Sequence, residues 1–218
     1  MARKFASAST QFANAASTIS ALAYPFTMAC WARWVTTGTV TCMSITDGTP
    51  TGSYVALYPI SVMRADAFDG STQAPADGTT TISTGVWYHV AGVFVSSSSR
   101  FVYVNGVQEG NNTTVVSPTL TLPGVGDITR PTPTFVMNGD VAEAAIWNVQ
   151  LTNSELIALA GGWSPPSVRP VSLSYYWPLN GNDSPELDRW KNKLDLNLQN
   201  TPTKSNSHPA MRYRTSQF

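Results

Sequence analysis

The stretch Asn138 to Gly162, NGDVAEAAIWNVQLTNSELIALAGG, narrows what this chain can become more than any other, because it joins a strand, a turn and one short capped helix. Val141, Glu143, Ala145 and Trp147 alternate with Ala142, Ala144, Ile146 and Val149, which predicts a strand covered on both faces. A helix then starts at Thr152. Thr152 and Glu155 have capping-box spacing, Leu151 and Leu156 occupy hydrophobic-staple positions, and Gly161-Gly162 supplies a left-handed stop. The rest of the sequence is short apolar runs between turn residues, so the expectation is an all-β chain with one short helix near residues 153–160.

Upstream, Gly85 to Gly106, GVWYHVAGVFVSSSSRFVYVNG, sets two apolar strands around a four-serine turn and ends in Asn105-Gly106, a second tight turn. Together with Phe26 to Trp34, FTMACWARW, these segments resemble the laminin G-like branch of the concanavalin A-like lectin/glucanase superfamily. Its members carry runs of the type F-T-V-S-A-W-V, W-x-H-V-A…Y-V-N-G and G-x-I-D-E-V-R-I-Y…L-S-x-x-E-I in the same order. The resemblance covers roughly Ser7 to Asn200 and implies a two-sheet antiparallel jelly-roll sandwich. Residues 1–201 are assigned to that sandwich, with C-terminal return strands within 171–200, and 202–218 to a tail. The scaffold carries lectins, hydrolases, adhesion modules and virion proteins, so function has to be argued from sites.

At 218 residues the chain is long enough for one large core. Thirteen basic and thirteen acidic residues cancel, and no basic cluster rises above Arg212-Tyr213-Arg214, so a nucleic-acid partner is not expected. No run approaches the ~20 apolar residues of a membrane helix, which predicts a soluble chain. Ser7, Ser9, Thr10, Gln11 and Asn14 interrupt any apolar core of a signal peptide after Met1-Ala-Arg-Lys, so synthesis without export is expected. Cys30 and Cys42 flank a predicted hairpin turn at Thr36-Thr37-Gly38. They are either a cross-strand disulfide or two reduced core thiols, and the strain of bridging adjacent strands favours the thiols.

Phe5 to Phe26 reads as two edge strands, Ser53 to Tyr58 as a short strand, and Asp47, Asp69 and Asp77, each before or within a Gly-containing turn, as turn formers. Gly162 to Pro170 is a Pro-rich connector that should be neither helix nor central strand. Leu173 to Leu179 and Lys193 to Gln199 are predicted strands, the second with Leu194, Leu196 and Leu198 on one face. The run Arg169-Pro170, Tyr175-Tyr176-Trp177-Pro178-Leu179 and Ser184 to Asp188, followed by a leucine-alternating strand and His208-Pro209, is similar to a C-terminal pattern of laminin G-like proteins encoded by tailed bacteriophages. That resemblance implies a virion component. Thr201 to Phe218 lacks apolar periodicity and is expected to order only against a neighbouring subunit.

Catalysis finds little support. Glycosidases on this scaffold resembling laminarinase carry E-x-D-x-x-E or E-x-D-x-E, which brings two carboxylates to about 5 Å. This chain has four Glu, Glu109, Glu143, Glu155 and Glu186, none within five residues of another. Ala142 stands where related domains often place an Asp for calcium, so no cofactor or metal is expected, Ca²⁺ being the one considered. His89 matches a structural strand position and His208 lies in the tail. Seven Trp and eight Tyr keep sugar binding open, with Trp31, Trp34 and Tyr58 as candidate ligand-binding residues and Tyr54 on the same predicted strand as Tyr58. Trp31 is the best of these, because Phe26, Met28 and Cys30 claim the opposite strand face. Trp87 and Trp147 match core positions of the family.

The leading expectation is a non-enzymatic phage virion surface protein, made in the host cytoplasm and acting as a capsid decoration protein. Its partners would be the major capsid protein and further copies of itself. Phe5, Met211, Arg212, Tyr213, Arg214 and Phe218 are the expected assembly contacts. The alternative is a carbohydrate-binding adhesin module of a tail or fibre, with a surface glycan as partner; a degenerate glucanase ranks third.

Overall fold

The computed structural model describes residues 1–181 and 184–212. Strands β1 (Ala2–Phe5), β2 (Phe12–Ala15), β3 (Phe26–Trp34), β4 (Met43–Thr46), β5 (Tyr54–Pro59), β6 (Val62–Phe68), β7 (Ala76–Thr81), β8 (Trp87–Ser96), β9 (Ser99–Val104) and β10 (Val107–Asn112) come first. They are followed by β11 (Leu122–Val125), β12 (Gly139–Trp147), helix α1 (Asn153–Ala160), β13 (Leu173–Trp177), β14 (Leu196–Gln199) and β15 (Thr203–Ser205). Two antiparallel sheets form the sandwich. One runs β10-β9-β8-β3-β12-β1-β15, with β13 also paired to β12; the other runs β14-β2-β11-β4-β5-β6-β7.

Alternation along each strand builds the shared core. Phe26, Met28, Cys30, Ala32 and Trp34 of β3 point inward to meet Met43, Ile45, Val55, Leu57 and Met63 of the opposite sheet. A second apolar cluster lies on the outer face of the β3 sheet. There Leu156 and Leu159 of α1 cover Ala91, Tyr103, Ala145 and Trp147. Full burial of a leucine such as Leu156 contributes about 1.5–3 kcal/mol. The helix forms where the sequence predicts it. Thr152 Oγ1 accepts from the Glu155 amide, the Glu155 carboxylate accepts from the Thr152 amide at 2.7 Å, and Gly162 takes φ +90° beyond the last turn. Asn105 and Gly106, at φ +50° and +81°, make the expected tight turn between β9 and β10.

Several expectations are corrected. β12 does not keep one alternation: a bulge between Ala142 and Ala145, with Glu143 at φ +56°, resets the parity. Val141, Ala144 and Ile146 therefore face the central core while Ala145 and Trp147 face the helix, although a regular strand would put Val141 and Trp147 together. β1 and β2 are interior strands, because the C-terminal β15 and β14 add outside them. Cys30 and Cys42 are not on neighbouring strands: β3 and β4 belong to opposite sheets, and both thiols are free and buried in the core. Burial pushes the Cys30 thiol well up. Asp77-Gly78 lies within β7, where Asp77 pairs with Arg64 instead of forming a turn. Pro165–Ser167 in the connector makes one short 3₁₀ turn.

The segment after residue 201 folds back on its own chain as far as it is described. β15 pairs with β1 (Ala2 opposite Ser205), Trp87 Nε1 donates to Ser207 Oγ at 2.9 Å, and Arg212 exchanges backbone bonds with Gly162 and Ser164. Beside it, the guanidinium of Arg3 donates to the buried carboxylate of Glu186 at 2.7 Å.

Candidate functional site

The outer face of the second sheet carries a cleft whose floor is the β5–β6 ladder. Val55 and Leu57 fill the core, so Tyr54, Ala56 and Tyr58 point outward; on β6, Met63, Ala65 and Ala67 point inward, so Arg64, Asp66 and Phe68 point out. Register pairs Tyr54 with Phe68, Ala56 with Asp66 and Tyr58 with Arg64. The small Ala56 leaves room for the two tyrosine side chains to lean together over Asp66.

Asp66 organises this floor. Its Oδ2 accepts from Tyr58 at 2.5 Å, from Gln73 Nε2 at 2.6 Å and from Tyr54 at 3.1 Å, while its buried Oδ1 has no hydrogen-bond partner. Burial, reinforced by the Asp66 charge, pushes both tyrosine hydroxyls far above the usual phenol range. They stay protonated donors to Asp66, and their oxygens accept from Gln73 Nε2, at 3.4 Å for Tyr54 and 3.3 Å for Tyr58.

The walls come from the loop after β11. Ile128 packs beneath against Tyr54, Ala56 and Tyr58, and its amide donates to Thr134 O at 2.9 Å, closing the loop on itself. Phe135, held at φ +56° and 43 % exposed, stands with its ring centroid 5.9 Å from that of Tyr58. The Arg130 guanidinium lies 5.1 Å over the Tyr54 ring and that of Arg64 5.8 Å over Tyr58. Arg64 is held there by Asp77, at 2.6 and 2.9 Å. With Thr39 and Ile60 at the edge, the cleft encloses about 380 Å³, within the range of small-molecule sites.

The loop is anchored by a buried acid. Thr129 Oγ1 donates to Asp127 Oδ1 at 2.8 Å, and Thr46 Oγ1 to Thr129 O at 2.7 Å, but Asp127 Oδ2 has no partner. Burial raises the Asp127 carboxyl to about 8, so it is largely protonated at neutral pH.

Of the three candidate ligand residues, Tyr58 alone lies in this cleft. Trp34 is 0 % exposed between the sheets, its indole donating to Val40 O at 3.3 Å, so no ring face is open to a ligand. Trp31 does point outward, but it is half-buried, its ring in an edge contact with His89 and beside Trp163, Pro165 and Met211 of the same chain. Trp87 is half-buried rather than core. Arg64, Phe68, Gln73, Arg130 and Phe135 were not singled out from sequence. The first two had a legible signal, since Arg64, Asp66 and Phe68 alternate with apolar residues; the loop residues had none.

The expected assembly contacts are also redistributed. Phe5 is a core residue lying against Gly126, Met211 covers Trp31 and Trp163, and Arg212 pairs through its backbone with the residues flanking Trp163. Tyr213, Arg214 and Phe218 lie outside the described residues. Among the described residues no three His, Cys, Asp or Glu side chains gather as a metal would require, and no helix is long and apolar enough to cross a membrane. Glu143 accepts from the Tyr176 hydroxyl at 2.7 Å, and burial lowers His89 to about 3, leaving it a neutral strand residue.

Two packed antiparallel sheets with one capped α-helix among the described residues are the layout of a concanavalin A-like sandwich. The chain belongs to the concanavalin A-like lectin/glucanases superfamily: the Laminin_G_3 family model matches residues 6–157. No curated protein matches. Among solved structures, a candidate carbohydrate-binding protein from Bacteroides ovatus aligns with a TM-score of 0.67 at 16 % identity, over 97 % of this chain and 61 % of that one. This chain thus spans about three fifths of that protein. A heptameric SAP-like pentraxin from Limulus polyphemus aligns at 0.56 and 17 % identity, over 72 % of this chain and 76 % of that one. The CBM40 of a Ruminococcus gnavus sialidase, bound to α2,3 sialyllactose, aligns at 0.53 and 16 % identity, over 63 % and 83 %. At these identities the likeness is one of fold.

Proposed function

We propose that the protein is a non-catalytic carbohydrate-binding module and that the sugar occupies the Tyr54–Tyr58 cleft. The observation that carries this reading is the make-up of the cleft: the exposed Phe135 ring and the half-buried Phe68 ring stand beside the Gln73 amide, over a floor of buried Tyr54 and Tyr58 whose hydroxyls, with Gln73, are held by one buried carboxylate. Sugars need that combination, because their C–H faces pack on aromatic rings while their hydroxyls take directional hydrogen bonds. Preorganisation by Asp66 lowers the entropy lost on binding. Binding without cleavage is the reading supported at this cleft by Asp66 being enclosed under the tyrosines and Asp77 being engaged by Arg64.

A glycan array followed by calorimetric titration tests the assignment. Tyr58→Ala and Phe135→Ala should each weaken binding of the array hits at least tenfold, while Trp31→Ala should not. If no glycan binds, or if Trp31→Ala alone removes binding, the cleft is not the site.

A virion setting is the second reading, carried by the similarity of the segment from Arg169 to Pro209 to phage-encoded relatives. In that setting the module would act as a tail or fibre adhesin or as a decoration protein on the particle surface. Decoration through a tail that orders on a neighbour has lost part of its support, because residues 203–212 already have partners on their own chain. Immunogold labelling of purified particles tests the setting, and absence from particles refutes it.

A further inference from the structure

Arg130 has no carboxylate partner among the described residues, although it lines the cleft. Its Nη2 donates to Gly52 O at 2.7 Å, its Nε is buried with no hydrogen-bond partner, and its Cζ lies over the Tyr54 ring. Asp47, which crowds the same glycine, is taken up by the amides of Thr49 and Ser53 at 2.9 and 2.7 Å. The other charges around the cleft are already engaged. Arg64 is doubly bonded to Asp77, and Asp66 receives three donors on one oxygen. Buried Arg100 also lies close enough for the Asp66 charge to act on it, while its own hydrogen bonds go to Ala74 O, Ser97 O, Thr114 O and the Asn112 amide oxygen. Of the two guanidinium groups that line the cleft, Arg64 is therefore committed to Asp77, while Arg130 is bonded to no carboxylate of the described residues. Asp127, under the same loop, adds no full countercharge near neutrality because burial keeps it largely protonated.

A guanidinium placed over an aromatic ring, with no carboxylate partner, is suited to bind an anion next to an apolar surface. We infer that the cleft selects a carboxylate-bearing sugar, uronic or sialic, with its ring packed on Phe135 and its carboxylate paired with Arg130. This rests on the carbohydrate-binding reading and goes one step beyond it, from a sugar to an acidic one. A neutral sugar would leave the Arg130 charge partly desolvated and uncompensated, which costs affinity.

The test is calorimetric titration of the full chain with trigalacturonate and 3′-sialyllactose, each set against its neutral counterpart, galactotriose and lactose. At least one acidic ligand should bind tenfold or more tighter than its counterpart, and which one does so identifies the sugar. The preference should shrink as NaCl is raised from 0.05 to 0.5 M. Arg130→Gln should remove the preference, and Arg130→Lys should retain part of it. Melting curves of both variants show whether the fold is kept; should Arg130→Gln unfold, the salt titration of the unmodified protein decides. Equal affinity for acidic and neutral ligands, a salt-independent preference, or a preference unchanged in a folded Arg130→Gln would overturn the inference while leaving the module reading intact. Failure to bind any saccharide, on these probes and on the array, would overturn both.

Discussion

Replacing Asp127 by Asn should make the protein more stable, and increasingly so as the pH rises from acid to neutral. Asp127 is fully buried, one of its oxygens has no hydrogen-bond partner, and burial lifts its carboxyl from 3.8 to about 8. Between those two values the folded chain holds a proton that the unfolded chain has released. Stability from this group is therefore complete below pH 3.8 and is lost progressively as pH rises to 8. The slope is about 1.36 kcal/mol per pH unit, so moving from pH 5 to pH 7 removes roughly 2.7 kcal/mol. For a chain of this size that is a fall of roughly 5–10 °C in Tm. Asn has the shape of the neutral acid and cannot ionise, so the variant lacks this slope. Buried His89, lowered to about 3, acts in the opposite direction: its stability is present above the unfolded value of 6.5 and is lost as pH falls. That contribution is common to both proteins and cancels in their difference. Urea denaturation of the two chains at pH 5, 6, 7 and 8 gives the difference directly. It should widen with pH and level off above pH 8; parallel profiles would refute the claim that Asp127 is buried as a neutral acid.

Four further outcomes follow from the packing. Deleting residues 203–218 should lower Tm by several degrees, because it strips the β15 ladder from β1, the Trp87–Ser207 bond and the cover over Trp31; an unchanged Tm would mean the tail is energetically idle. Arg3→Met leaves the Glu186 carboxylate buried without its guanidinium and should cost about 3–5 kcal/mol in urea denaturation, with less than 1 kcal/mol counting against a tight buried pair. Thr152→Ala removes the capping box of α1 and should cost about 1 kcal/mol, measured the same way. EDTA should leave Tm unmoved, since an ion held at a hundred times its Kd would contribute about 2.7 kcal/mol and its removal would be plain in a melting curve.

The sequence by itself was enough wherever neighbours along the chain decide the outcome. The capping box at Thr152, the tight turn at Asn105-Gly106 and the alternation of β3 and β5 are contests among residues a few positions apart, so α1 and the β8–β9–β10 hairpins were legible before any coordinates, while the two-sheet class came from the resemblance to laminin G-like domains. Tertiary structure decided which of two equivalent strand faces meets water. Alternation puts Tyr54 and Tyr58 on one side and Trp31 on one side, but it does not say that the first side opens into a cleft while Met211 and Trp163 close over the second. The bulge at Glu143 lay beyond the pattern as well, because one inserted residue flips every later side chain and leaves no mark on composition. The cleft was the least visible feature. Arg130 and Phe135 reach Tyr54 and Tyr58 from a loop more than seventy residues away along the chain, and the packing of Ile128 with the bonds Thr46–Thr129, Thr129–Asp127 and Arg130–Gly52 holds that loop where its charge and its ring face the tyrosines.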